Sequence, residues 1–248
     1  MKSIVAWIVF FILVVAGPVA AEDTAETQKA FSGTGEAGVL MTTGNSETES
    51  VNARLGLKYE TGYLLAEAAA AALYRSEETD VGGQTVDKTS AEKYTCSAKL
   101  GYKFNAANYV FVHAAFEDDR FSGYDYQSTY TAGYGRKVIV TDAVRLHIEA
   151  GPGYRYDKRE DGETEEDGIF RGYAVFGYNF SDGVSFQQEV TVVTGSDNTN
   201  TRAVSALKSR IVGALSMKVS YTVDHDSDVP PGTDKTDTET ALTLVYDF

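Results

Sequence analysis

His113, His147 and His225 are the only histidines in a chain of 248 residues, and so the first candidates for acid–base chemistry. A hydrolytic centre needs a base within hydrogen-bond reach of a nucleophile, and a third group that orients the base. None of the three has a serine or an acid at a spacing that assembles such a set, so each reads as a structural polar residue. Carboxylate clusters are the second possibility. Asp224-His-Asp-Ser-Asp228 and the acidic run from Asp157 to Asp167 offer the oxygen ligands that Ca²⁺ and Mg²⁺ take, but neither has the spacing of an EF-hand loop. They read first as solvated loop acids, with Ca or Mg bridging to an anionic surface as the alternative. Cys96 is the single cysteine, which excludes an intramolecular disulfide, and no His or Lys is spaced to activate it. Gly44-Asn45 reads as a turn. No enzyme activity, catalytic group, cofactor site or dedicated metal site is expected.

The charges that do recur in a pattern are a different set. From Glu92 to Phe104, Lys93, Lys99 and Lys103 lie on one parity while Tyr94, Cys96, Ala98, Leu100, Tyr102 and Phe104 lie on the other. Successive side chains of a strand point to opposite faces, so this segment is a strand with one apolar and one polar side. Arg54 and Lys58 stand in the same way against Val51, Ala53, Leu55, Leu57 and Tyr59. Arg145, His147, Glu149 and Arg155 oppose Val144, Leu146, Ile148, Ala150, Tyr154 and Tyr156, and Lys218 opposes Leu215, Met217, Val219, Tyr221 and Val223.

Twelve such segments are counted, near residues 33–43, 48–60, 63–76, 90–104, 108–119, 125–139, 144–157, 169–180, 184–194, 200–211, 214–225 and 237–248. Each reaches the roughly 9 to 11 residues that a tilted membrane strand needs. Three are weakly patterned: 63–76 is alanine-rich on both faces, 108–119 is ambiguous in phase, and 200–211 carries serines on its apolar side. Tight turns at Thr61-Gly62, 105–108, 141–143, 181–183 and Val212-Gly213 alternate with longer polar loops at 44–47, 77–88, 120–124, 158–168, 195–200 and 226–235. Short turns on one rim and long loops on the other are the organisation of an outer-membrane barrel, with the turns periplasmic. The expected fold is therefore all-β: a transmembrane antiparallel up-and-down β-barrel of about twelve strands with periplasmic N- and C-termini. Aromatics near strand ends, including Tyr59, Tyr63, Phe104, Tyr109, Tyr126, Tyr156, Phe180 and Phe248, fit two interfacial girdles.

With the apolar faces toward lipid, the opposite faces carry Arg54, Lys58, Lys93, Lys99, Lys103, Arg145, Arg155, Arg171, Arg202, Lys208, Arg210 and Lys218. They oppose Glu36, Glu60, Glu67, Glu149, Glu189 and Asp224, so twelve cations would face six anions. Such a lining either selects ions or plugs the interior with ion pairs. Glu117-Asp-Asp-Arg120 reads equally as an ion-paired rim cluster or a polar strand end.

The ends of the chain set the compartment. Lys2, the apolar run Ile4–Val15 and Val19-Ala20-Ala21 form a secretory signal peptide, expected to be cleaved after Ala21. Residues 22–32 would form a short periplasmic segment and 33–248 the outer-membrane barrel. Loss of Lys2 moves the net charge from −14 to −15, and so acidic a chain is not expected to bind nucleic acid. At the other end Leu242, Leu244, Tyr246 and Phe248 share one apolar face. That ladder resembles the signal by which the barrel-assembly machinery recognises its substrates.

Gly33-Thr-Gly-Glu-Ala-Gly-Val-Leu-Met-Thr-Thr-Gly-Asn45, Tyr109-Val-Phe-Val-His-Ala-Ala-Phe-Glu-Asp-Asp-Arg-Phe121 and Gly151-Pro-Gly-Tyr-Arg155 resemble a family of Gram-negative bacteria. It is named for a salt-induced outer-membrane protein and otherwise classed as a domain of unknown function. The resemblance runs from about Phe31 to Phe248 and implies an outer-membrane barrel, with no catalytic or binding residue to carry over. The expected function is a passive pore for ions or small solutes with a net cationic lumen. The alternative is a non-conducting structural or surface barrel whose acidic loops bridge lipopolysaccharide through divalent cations. Membrane lipid, lipopolysaccharide and the assembly machinery are the expected partners.

Overall fold

The computed structural model describes residues 30–42, 48–81, 84–196, 198–228 and 235–248. The expected leader, the segment up to residue 29 and the Gly44-Asn45 turn lie outside the described residues. Twelve strands follow one another: β1 (Phe31–Thr42), β2 (Thr48–Glu60), β3 (Leu64–Val81), β4 (Gln84–Lys103), β5 (Asn108–Asp119), β6 (Tyr124–Val140), β7 (Val144–Arg159), β8 (Thr164–Ser181), β9 (Val184–Thr194), β10 (Thr199–Val212), β11 (Leu215–Asp226) and β12 (Thr236–Asp247). Each pairs with its sequence neighbours, and β12 returns to β1 to close an antiparallel barrel.

The period-two pattern decides which way each strand faces. Val39, Val51, Leu55, Tyr94, Leu100, Val112, Ile148, Leu207, Val219, Leu242 and Leu244 all stand exposed on the outer surface. So continuous an apolar belt would be unfavourable in water, and it matches the lipid-facing band of a membrane barrel. Aromatic rings gather at the turn rim: Phe248 stacks on Tyr246 at 6.3 Å, and Tyr178 meets Phe180 edge-on at 4.9 Å. Nearer the loop rim, Tyr126 stacks between Phe116 and Tyr156 at 5.6 and 6.1 Å. Cys96 lies on the outer phase opposite Ala70 and Phe116, as a small hydrophobe should.

Several strands run further than the sequence pattern indicates. The expected loop at 77–88 is instead ladder, with Glu77 opposite Lys88 and Val81 opposite Gln84, and β8 begins at Thr164 rather than 169. Above the bilayer neither face needs to be apolar, so alternation vanishes while backbone pairing continues. At the turn rim Gly213 adopts φ 56°, which makes the tight Val212-Gly213 turn possible.

Two features position the interior. Gly133 and Gly135 of β6 face inward, where a Cβ at Gly135 would overlap the Tyr109 ring and one at Gly133 would lie 2.8 Å from Phe111 Cζ. These glycines open a trough that turns Tyr109 and Phe111 into the barrel, where they pack with Leu65 as the one buried apolar cluster among the described residues. Tyr109, expected in a girdle, is thus an interior residue. Opposite, the β6–β7 register passes from Thr131↔Gly153 to Tyr134↔Ala150 with no pairs between, at the place where Pro152 has no N–H to donate. The second feature is the closing seam. β1 and β12 share five register pairs, Thr34↔Asp247 to Gly38↔Thr243, extended by mutual Gly33–Phe248 backbone bonds at 2.8 and 2.9 Å. The Phe248 ring lies over Gly33, where a Cβ would collide with it.

A charged lumen as the candidate functional site

All eighteen charged residues expected to line the lumen fall on the inward phase of the register. Arg54 stands opposite Glu36, Lys99 opposite His113 and Glu67, Arg171 opposite Gly151 and Val193, and Lys208 opposite Lys218 and Ser185. Period two thus brings residues far apart in sequence into one interior, but it does not leave them equally free.

Glu149 is the hub. Its carboxylate is 3% exposed, and Lys99 Nζ donates to it at 2.6 Å while also reaching Glu67 at 2.6 Å. Arg171 Nη1 approaches the second oxygen at 3.3 Å, and the wholly buried Tyr109 hydroxyl donates to the first at 2.7 Å. Tyr173 receives the Arg171 guanidinium over its ring at 4.9 Å and Lys99 at 5.9 Å. A carboxylate desolvated this far persists as a charge only because two cations and a hydroxyl replace its water.

A second node lies at the turn rim, where Glu60 gathers Lys103 at 2.7 Å, Lys58 at 2.9 Å and Lys137. Across the barrel, Lys218 pairs with Glu36 and Lys208 with Asp247 at 3.0 Å, while Arg202 pairs with Asp224. Toward the loop rim Lys93 bridges Glu117 at 2.6 Å and Asp119 at 3.6 Å, and Arg120 meets Glu92 at 3.0 Å. Glu117, Asp119 and Arg120 are therefore ion-paired, with the two acids on the inward phase and Arg120 beyond the end of β5, while Asp118 has no cation at ion-pair distance among the described residues.

The charge balance differs from the two-to-one cationic excess expected. Register places Glu117, Asp119, Asp157, Asp167, Glu239 and Asp247 on the inward phase as well, joined on the basic side by Arg75 and Lys137. These acids lie near strand ends, where alternation fades and phase is hard to read. The interior is thus close to neutral, and the cations of the central network are spent on carboxylates. Arg54, Arg145, Arg155 and Arg210 are different: among the described residues none has a carboxylate at ion-pair distance, and Glu189 likewise has no cation.

His147 contacts the Tyr109 hydroxyl beside Glu149, His113 is interior with an unpartnered Nδ1, and His225 shares a 2.8 Å bond with Thr236 at the loop rim. No group of three or more His, Cys, Asp or Glu side chains is arranged to hold a metal among the described residues. At the turn rim lies a cavity of about 430 Å³ bordered by Arg145, Asn179, Ser185, Lys208, Arg210 and Ser216, with Asp142 and Asp182 on the adjoining turns. That cavity was not legible from periodicity, because turn residues contribute to it; two tight turns, each with an aspartate, on the same rim as inward arginines were the available signal.

Comparison with known proteins agrees with this architecture. The family described as protein of unknown function, DUF481, matches residues 35–248. The uncharacterised protein YdiY of Escherichia coli K12 is 29% identical over 226 residues, covering 91% of this chain and 86% of that protein. An outer membrane channel from Pseudomonas putida F1 superposes with a TM-score of 0.53 at 13% identity, over 93% of this chain and 100% of its own. The NanC porin gives a TM-score of 0.50 at 12% identity, over 88% of this chain and 99% of its own. At such identities the structural likeness speaks for the fold, which is that of an outer-membrane barrel.

Proposed function

Since the chain belongs to the DUF481 family of unknown function, which hands down no activity, we propose a role from the barrel itself: a passive outer-membrane pore for ions or small solutes. The observation that carries this reading is a set of inward arginines, among them Arg54, Arg145, Arg155 and Arg210, with no carboxylate at ion-pair distance among the described residues; Arg145 and Arg210 line the turn-rim cavity. Arg54, Arg145 and Arg210 are exposed and Arg155 half-buried, so these guanidiniums keep water rather than a carboxylate, and an aqueous path lined this way leaves their counter-ion mobile. Anions passing through would supply that counter-ion, so mild anion preference follows from the free arginines rather than from the total charge. In this reading residues 1–21 are removed on export, the turn rim and both termini face the periplasm, and the Leu242, Leu244, Tyr246, Phe248 ladder presents the chain to the assembly machinery.

Planar-bilayer recording of the refolded mature chain tests it. Step conductances are expected, with a reversal potential in a KCl gradient on the anion side. A silent bilayer would sink the pore, and a cation-side potential would sink the preference alone. One observation favours the non-conducting alternative: Tyr109 and Glu149 are sealed from water inside the barrel. If that reading holds, bilayers stay silent, and chelating divalent cations lowers the temperature at which the lipopolysaccharide-embedded barrel loses its folded gel mobility.

A further inference from the structure

We propose that the turn-rim cavity is a binding site for a small hydroxylated anion, a solute carrying one carboxylate or phosphate beside hydroxyl groups. Its volume, about 430 Å³, falls in the range of roughly 300–1,000 Å³ typical of small-molecule sites. Its polar lining is sorted by availability. Lys208 is engaged, with Asp247 at 3.0 Å, whereas Arg145 and Arg210 have no carboxylate at ion-pair distance among the described residues. A planar guanidinium fork with free N–H groups matches the oxygens of a carboxylate or phosphate.

The wall is shaped around these two forks. Arg145 stands opposite Gly177 on β8, and its guanidinium lies along the wall there, where even a Cβ at Gly177 would make only ordinary contact with Nε at 3.5 Å. Arg210 is fixed through its backbone N–H to the Gly183 carbonyl at 2.7 Å, next to the register shift between Arg210 and Val212. A second shift, between Asn179 and Ser181, borders the same cavity, and bulges at barrel rims are a recognised way to re-aim a side chain. Hydroxyl recognition has its own groups. Asn179 donates its amide to the Asp142 carbonyl at 2.7 Å, which leaves its side-chain oxygen as an acceptor, and the Ser185 and Ser216 hydroxyls face the same space. Asp142 and Asp182 on the turns would repel a second anionic group, so the fit is to a solute with one.

Passage of such a solute through the barrel rests on the pore reading; binding itself does not. The mature barrel in detergent micelles is titrated with sodium gluconate, glucose 6-phosphate and glucose, and binding is read from ligand-detected NMR saturation transfer. Saturable binding of the two anions and none of glucose is expected. Arg145→Gln and Arg210→Gln should each weaken it about tenfold or more, the usual loss for one charge-assisted contact. Arg120→Gln, on the opposite rim, should leave it unchanged. Arg145→Lys and Arg210→Lys keep the charge and so guard against a misfolded Gln variant; loss of the fork should still weaken binding about threefold. Absence of saturable anion binding, equal binding of glucose, or undiminished binding in the arginine variants overturns the site. Conductance of the same preparation is scored apart: a conducting barrel that binds neither anion overturns the site and keeps the pore, and a silent barrel that binds both does the reverse.

Discussion

Glu149→Gln is the sharpest perturbation of the interior, because it removes one charge and almost no volume from a residue that is 3% exposed. In the native barrel the carboxylate faces Lys99 at 2.6 Å, Arg171 at 3.3 Å and the Tyr109 hydroxyl at 2.7 Å. The amide can still accept from Tyr109, and Lys99 keeps Glu67 at 2.6 Å. Arg171 loses the only carboxylate it meets among the described residues while remaining 9% exposed. Breaking a buried pair by neutralising one partner costs about 3–5 kcal/mol, and the retained Glu67 contact argues for about 3. At roughly 1.4 kcal/mol per tenfold, that is close to two orders of magnitude in the folding equilibrium. Urea titration of the barrel refolded into lipid vesicles, scored by the gel mobility of unheated samples, measures it. A loss below about 0.5 kcal/mol would refute the assignment of Glu149 as a desolvated hub. The triple variant Lys99→Met, Glu149→Leu, Arg171→Met separates stability from specificity, since a well-packed apolar replacement of such a network is often neutral or stabilising by about 1–4 kcal/mol. Recovery in the triple variant together with altered conductance would mean that the charges are kept for what passes by them.

Asp224→Asn supplies the contrasting case: Arg202 and Asp224 are 47% and 31% exposed, so the same titration should register less than about 1 kcal/mol, fading further in added salt. Gly135→Ala places a methyl group where the Tyr109 ring lies and forces the hydroxyl off Glu149, so a loss of about 1–3 kcal/mol is expected from the same vesicle assay. Pairing Gly135→Ala with Tyr109→Phe should give less than the sum of the two single losses, because both act on one hydrogen bond.

Most of the barrel was readable because a membrane strand must alternate: one face meets hydrocarbon and the other does not. Residues such as Lys99, Arg145 and Lys218 were placed inside by parity alone, and the register agrees. Legibility failed where that demand lapses. Above the bilayer, Glu77–Val81 and Thr164–Gly168 continue as ladder with no apolar face to announce them. In β5 the run Tyr109-Val-Phe-Val112 is apolar on both parities, so phase could not be assigned from that strand. The answer was in its neighbour, where Gly133 and Gly135 recur with period two on the phase that must make room. Ion pairing was the least legible property: parity shows that Arg171 and Arg155 share a lumen, but which of them meets a carboxylate depends on strand tilt and axial height.

The seam between β1 and β12 carries a consequence for how the barrel comes together. Its Thr34–Asp247 contact, at 3.4 Å, joins residues 213 positions apart, whereas every other junction links neighbouring hairpin strands. Local hairpins can form in any order at small entropic cost, but the ring closes only after nearly the whole chain is ordered. That last step is secured by five paired positions and a phenylalanine seated on a glycine. The chain thus assembles as a curled ribbon whose two free edges wait for each other, and the junction formed last is also the one with the fewest rungs to undo.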